Sequence, residues 1–267
     1  MSSPRIGPRG LAQIRDEMTH RESAVVQQLG ILRLMTGGQI TAMHFPATDH
    51  GTPTASARAC SRGLARLTRD RLLVRLGRRI GGVRAGSSSY VYALGPVGQR
   101  LLALNGPRPR FREPSAIFVD HTLAVSQLVV ELTMAERAGR CEVLRVQGES
   151  DCWRSFSGVA GRALLRPDLA VTLGLGEYEA DYFIELDRAT EHLPAVLRKC
   201  QTYNAYYHSG REQAAHGVFP RVCWVVPDEA RAEALRVMLK RNRHLTKDLF
   251  LVTTSAESVE TLVRRPA

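Results

Sequence analysis

The chain has 267 residues, 44% hydrophobic and 24% charged, a composition that fills two globular units and excludes wholesale disorder. No run approaches the ~18 consecutive apolar residues of a bilayer span, which argues against a membrane-embedded protein. Lys and Arg number 37 against 26 Asp and Glu, a formal charge of +11. The excess is local. Residues 1–110 hold 17 basic and 5 acidic side chains, whereas residues 111–267 hold 20 and 21. Such asymmetry points to a polyanion-binding domain joined to a domain of another kind.

The first fifteen residues carry Arg5, Arg9 and Arg15 but no apolar stretch, so no secretory signal is expected there. Residues 1–18 read as a flexible basic arm. The five cysteines are scattered without knuckle or redox spacing, as expected of small buried hydrophobes in a reducing compartment. A cytoplasmic, nucleoid- or plasmid-associated location follows.

Residues 19–104 read as a winged helix. Val25, Val26, Leu29, Leu32 and Leu34 give residues 21–35 a helical period. Thr36-Gly37-Gly38 breaks it, and residues 39–45 form a second short helix. A polar stretch (residues 48–53) precedes a third helix over residues 54–71. At 100° per residue, Ala57, Cys60, Leu64 and Leu67 share an arc of about 80°, with Arg58, Arg62, Arg66 and Arg69 on the opposite side. Alternation over residues 72–76 and 90–94 predicts a hairpin, whose tip carries Arg78, Arg79 and Arg84 among glycines and serines. In this arrangement the third helix enters the major groove of double-stranded DNA while the wing touches backbone. An arginine stripe is also what a solvated helix face looks like, but here the stripe and the tip carry one sign with almost no acid to offset them.

A short helix over residues 96–104 leads to a Pro/Arg-rich linker at 105–117. Residues 118–267 read as α/β (α+β for the whole chain), with a helix at 119–139 and strands at 142–147, 167–173 and 181–187. A helix (192–208), a strand (221–226), a helix (229–241), a strand (249–253) and a terminal helix follow. The order is αβββαβαβα, a mixed sheet flanked by helices. Asp168 heads the second strand, and Glu185 and Asp187 sit two apart on the third, so their side chains leave one face. Burying an unpaired carboxylate costs several kcal/mol, order of magnitude. The acids therefore either converge to hold Mg2+ or Mn2+ or are satisfied by arginines, Arg166 and Arg188 being the neighbours in sequence. Lys199 and Tyr203, one turn apart on the following helix, could reach back toward them. Trp153 beside Arg154 suits either base stacking or strand-end packing.

Asp168, then Glu185-Leu186-Asp187, then Lys199 with Gln201 and Tyr203 resembles the PD-(D/E)XK nuclease superfamily, with Glu131 or Glu136 as the first-helix acid. More closely, "TGGQITAMHF", "GGVRAGSSSYVYALGPVG", "CWRSF", "RPD", "FIELDRATE", "KCQTYNAYYHSG" and "GVFPRV" resemble the replication-relaxation family of actinobacterial plasmids and mobile elements. The resemblance covers roughly residues 20–260. It implies an N-terminal winged helix followed by a restriction-endonuclease-like αβββαβ domain, acting in plasmid replication, relaxation or transfer. It further implies Asp168, Glu185, Asp187 and Lys199 as catalytic residues, with Asp168 and Glu185 holding Mg2+ or Mn2+. The superfamily's usual lysine position is Asp187 here, so Lys199 would have to take that role. Three functions stay open: a DNA-binding protein whose second domain binds partners, a metal-dependent nuclease or nickase, and a transcriptional regulator with an α/β sensor or dimerisation domain. A homodimer and association with other plasmid replication or transfer proteins are expected.

Overall fold

The computed structural model describes residues 6–76, 90–102, 115–158, 161–189 and 191–265. Most of the 105–117 linker and the wing-tip residues Arg78, Arg79 and Arg84 lie outside them. The chain divides into two compact units, residues 1–130 and 131–267.

In the first unit, α1 (Pro8–Glu17) replaces the expected flexible arm. Pro8 sets the first turn, and no residue of the helix is buried. It is tied down at its ends, where Arg15 donates to the Leu101 carbonyl at 3.2 Å and Arg100 to that of Ile6 at 2.6 Å.

Two reciprocal capping boxes then start helices. Thr19 and Glu22 open α2 (His20–Leu32), and Thr36 and Gln39 open α3 (Gly37–His44). The expected polar loop contains one helical turn, α4 (Ala47–His50). In α5 (Pro53–Arg69), Thr52 caps the first turn and Pro53 leads it. A three-stranded antiparallel sheet in the order β1-β3-β2 completes the helix set: β1 (Met35–Thr36), β2 (Leu73–Leu76) and β3 (Val91–Leu94). The hairpin matches expectation; the two-residue strand β1 is too short to leave a period in the sequence. Helix α6 (Pro96–Leu101) packs so closely that a Cβ on Gly95 or Gly98 would collide with the carbonyl of Arg71 or Leu72. The "GPVG" motif is thus a requirement for close approach.

Helix α7 (Ala116–Arg137) is long and apolar enough, by composition, to cross a membrane. Its first part is instead a core helix of the first unit. Val119 packs with Leu34 and Val91, and the buried Ser126 hydroxyl donates to the Leu34 carbonyl at 2.6 Å. Gln39 donates to the Leu123 carbonyl at 2.9 Å. The divide between units therefore falls inside α7 and not at the linker that composition singles out.

The second unit is built on a five-stranded mixed sheet in the order β10-β9-β8-β7-β4. Strands β4 (Glu142–Gln147), β7 (Leu169–Leu175) and β8 (Tyr178–Leu186) run antiparallel; β9 (Arg221–Val226) and β10 (Phe250–Thr254) continue parallel to β8. Helices α8 (Leu193–His208), α10 (Glu229–Arg241) and α11 (Ser258–Leu262) follow the expected order. Two further pieces lie outside the expected set: the two-stranded hairpin of β5 (Arg154–Gly158) and β6 (Gly161–Leu165), and the short helix α9 (Arg211–His216). Alternation sorts β8 onto two faces. Phe183 packs on Tyr203 of α8, ring centroids 5.8 Å apart, while Tyr182 turns the other way and donates to the Leu262 carbonyl of α11. All five cysteines are buried and free. Burial pushes the thiols of Cys152, Cys200 and Cys223 up to about 12, which makes them inert packing groups.

Candidate functional site

The arginine stripe of α5 splits into two kinds of residue. Arg58 and Arg62 are exposed and have no side-chain partner among the described residues. Around them the helix surface carries the small groups Ala57, Ser61 and Ala65. Ala57 is exposed and not part of the apolar arc; Ser56 takes the buried place, its hydroxyl bonded to the Phe45 carbonyl. Arg69 is exposed and pairs with the adjacent Asp70.

Arg66 is different. Its Nε donates at 2.6 Å to Oε1 of the buried Glu22, the same carboxylate that closes the capping box of α2. It is a structural cation that ties α5 to α2, not a free one. Arg75 on β2 is a further cation that no sequence pattern singles out; its guanidinium lies 4.0 Å from the centroid of the exposed Tyr90 ring at the base of the hairpin.

In the second unit the strand-end acids do not all converge. Asp168, half-buried at the head of β7, accepts from Leu186 N at 2.8 Å, and its own N–H donates to Ile184 O. Glu185 is 1% exposed. Its Oε2 accepts from Lys199 Nζ and its Oε1 from the Tyr203 hydroxyl, so the i,i+4 pair on α8 reaches back as its spacing suggests. The ammonium of Lys199 also sits 5.8 Å from the centroid of Trp224, the residue opposite Glu185 on β9.

Burial pushes the Glu185 carboxyl up to about 8, against the pull of Lys199. Burial also works against the Lys199 ammonium, but Glu185 and Asp168 beside it outweigh that and hold its pKa above the ordinary value. Tyr203, fully enclosed and facing Glu185, is raised well above its usual range. The centre is therefore a hydrogen-bonded cluster with a positive lysine and a carboxyl that readily holds a proton.

Asp187 belongs to another assembly. Its Oδ1 accepts from Ala189 N at 2.8 Å, and its Oδ2 from Arg231 Nε of α10 at 2.7 Å. Arg231 in turn donates to the Glu191 carbonyl. Asp187 thus stitches the turn after β8 to α10. Its cation is neither Arg166 nor Arg188. Among the described residues, no group of three or more His, Cys, Asp or Glu is placed to hold a metal ion.

Beside Lys199 lies a cleft of about 400 Å³, lined by Leu164, Leu165, Arg166, Glu191, Lys199 and Thr202. The Arg166 guanidinium lies over the Trp153 ring, 4.9 Å from its centroid, and the thiol of Cys152 bonds to the Pro167 carbonyl at 3.1 Å. Arg154 pairs with Glu212, a buried acid of α9 that also accepts from Tyr206. The "CWRSF" and "RPD" segments are therefore one interlocked corner. Glu212 is inconspicuous in the sequence because it lies on a helix of only six residues. Glu136 accepts from Val143 N at 2.7 Å and caps β4.

Residues 26–222 match the protein-family model described as Replication-relaxation. No curated protein and no solved structure matches the chain.

Proposed function

We propose a function from the premise that this chain belongs to the replication-relaxation family, whose role lies in DNA transactions of the replication and relaxation type. The first unit grips double-stranded DNA as a winged helix, with α5 in the major groove and the β2–β3 hairpin against the backbone, in the replication, relaxation or transfer of a plasmid or mobile element. One observation carries this reading. Arg58 and Arg62 have no side-chain partner among the described residues and project from a helix face that also carries Ser61, Ala65 and the Asp70-paired Arg69, so two guanidinium forks are left to reach phosphates or guanine edges where the helix meets a groove. Arg75, ordered by Tyr90, adds a cation at the base of the wing.

The test is fluorescence anisotropy on a duplex over a range of salt. The double variant Arg58→Ala/Arg62→Ala should bind more weakly and lower the log–log salt slope by about 2, roughly one for each phosphate no longer neutralised. Unchanged affinity and slope would overturn the assignment.

The second unit is read as PD-(D/E)XK-like because Asp168 and Glu185 come from neighbouring antiparallel strands with Lys199 supplied by the next helix. As arranged, these residues do not fit a bound Mg2+ or Mn2+. Both oxygens of Glu185 are engaged, and Asp187 is committed to Arg231. The unit is accordingly a nuclease-like fold used to bind DNA. Nicking is a second reading, favoured by the proximity of Asp168, Glu185 and Lys199. Mg2+- or Mn2+-dependent nicking of supercoiled plasmid, lost in Asp168→Ala, would establish it in place of the binding role.

A further inference from the structure

We propose that the cleft beside Lys199 holds one unpaired nucleotide of a DNA strand, its base stacked on the Arg166 guanidinium and its phosphate directed to the Lys199 ammonium. This rests on the reading that the chain works on DNA, and names the form of DNA that the second unit takes.

Arg166 is the anchor. In sequence it stands two residues from Asp168, an obvious partner for the acids. In the structure it makes no hydrogen bond or ion pair among the described residues, and instead lies over Trp153 at 4.9 Å. One side of the guanidinium is taken by the indole, and the residue also lines the cleft. Ordering by the ring means that little side-chain freedom remains to be lost when a second planar group stacks on it. Nucleobases are such groups, and unpaired bases are held by stacking on arginine planes and aromatic rings.

The remaining walls fit the same occupant. Leu164, 44% exposed, and Leu165 give an apolar side. The volume of about 400 Å³ falls in the range of roughly 300–1,000 Å³ typical of small-ligand pockets. Lys199 spends one N–H on Glu185 and is 29% exposed on its side chain, which leaves ammonium donors for an anion. The Thr202 hydroxyl donates to the Arg198 carbonyl, so its oxygen is free to accept from a base N–H but not to donate to a phosphate. Glu191, also on the wall, repels phosphate from its side. These groups together orient the nucleotide with its anion toward Lys199. A duplex interior offers no free base face to such a cleft, whereas a single strand or a frayed fork does. Stacking of this kind is tolerant of base identity.

The experiment uses the full chain and compares a labelled oligothymidylate single strand with a blunt duplex by anisotropy. Arg166→Ala should weaken single-strand binding about fivefold or more and leave duplex affinity unchanged. Arg166→Lys, which keeps the charge but loses the plane, should fall nearly as far. Circular dichroism of both variants should match the parent, since Arg166 is exposed. Three outcomes overturn the proposal: no single-strand binding by the parent protein, single-strand binding indifferent to Arg166→Ala, or equal losses on single strand and duplex. A failure of the duplex-gripping reading would appear elsewhere, as Arg58→Ala/Arg62→Ala proteins with undiminished duplex affinity.

Discussion

Replacing Arg66 with alanine separates the structural arginine of α5 from Arg58 and Arg62, which are proposed to face DNA. Glu22 is almost enclosed, its side chain 8% exposed against 41% for Arg66, so truncation strands a carboxylate at the edge of the core. A fully buried pair broken on one side costs about 3–5 kcal/mol. Here Thr19 still donates to Glu22 through its N–H at 3.0 Å and its hydroxyl at 2.8 Å, and water can enter where the guanidinium lay. The expected loss is therefore smaller, about 1–3 kcal/mol. In a unit of this size that lowers the melting midpoint by roughly 3–10 °C. Calorimetry on the full chain reads the stability, and anisotropy over a salt series reads the DNA interaction. Arg66→Ala should melt earlier and keep the parental salt slope at temperatures where it is folded. Arg58→Ala should do the reverse. An Arg66→Ala protein that melts normally but has a salt slope lower by about one would refute the assignment of Arg66 to Glu22.

Two further outcomes follow from the second unit. The Glu185 carboxyl titrates at about 8 in the fold, against an ordinary value of 4.5, so between these values the folded protein holds a proton that the unfolded chain releases. That contribution is complete below about pH 4.5 and is lost as pH rises through 8, at up to about 1.4 kcal/mol per pH unit. Glu185→Gln should flatten the denaturant midpoint over this window, and parallel pH profiles for parent and variant would contradict it. Asp187→Ala removes the carboxylate facing Arg231, whose side chain is 14% exposed, and should lower stability by about 3–5 kcal/mol in urea unfolding. A loss of DNA binding at unchanged stability would instead return Asp187 to a functional set.

The three helices, the hairpin and most elements of the second unit are legible in the sequence because they leave a period of 3.6 or 2, while β7 and β9 read as short, continuous apolar runs. Strand β9 and helix α10 fall on the residues expected for them. Strand β1, helix α9 and the β5–β6 hairpin are not legible, since two residues, six residues and a Ser/Gly-rich pair of five-residue strands give no clear pattern. The Lys199–Glu185 pair is legible in outline, because a helix following a strand in the same layer can fold back on it. The partners of Arg66 and Asp187 are not. Each lies 44 residues away in sequence, and local spacing gives no signal for a partner so distant.

Those distant pairs also change what the charge count means. The near-balance of 20 basic and 21 acidic side chains in residues 111–267 suggests a neutral surface with no pull on a polyanion. Yet Asp187 and Glu212 are among the most enclosed acids, and each is matched by a cation, Arg231 and Arg154. These ion pairs cancel internally and contribute little field at a distance. Arg166 has no such partner among the described residues and stays at the surface, so a unit with almost no net charge still presents a directed cation beside a second one at Lys199. In the first unit the arithmetic runs the other way: Arg66 is spent on Glu22 and Arg69 shares its charge with Asp70. Duplex affinity should therefore follow the few guanidinium groups left without acids and not the formal excess of 17 basic over 5 acidic residues.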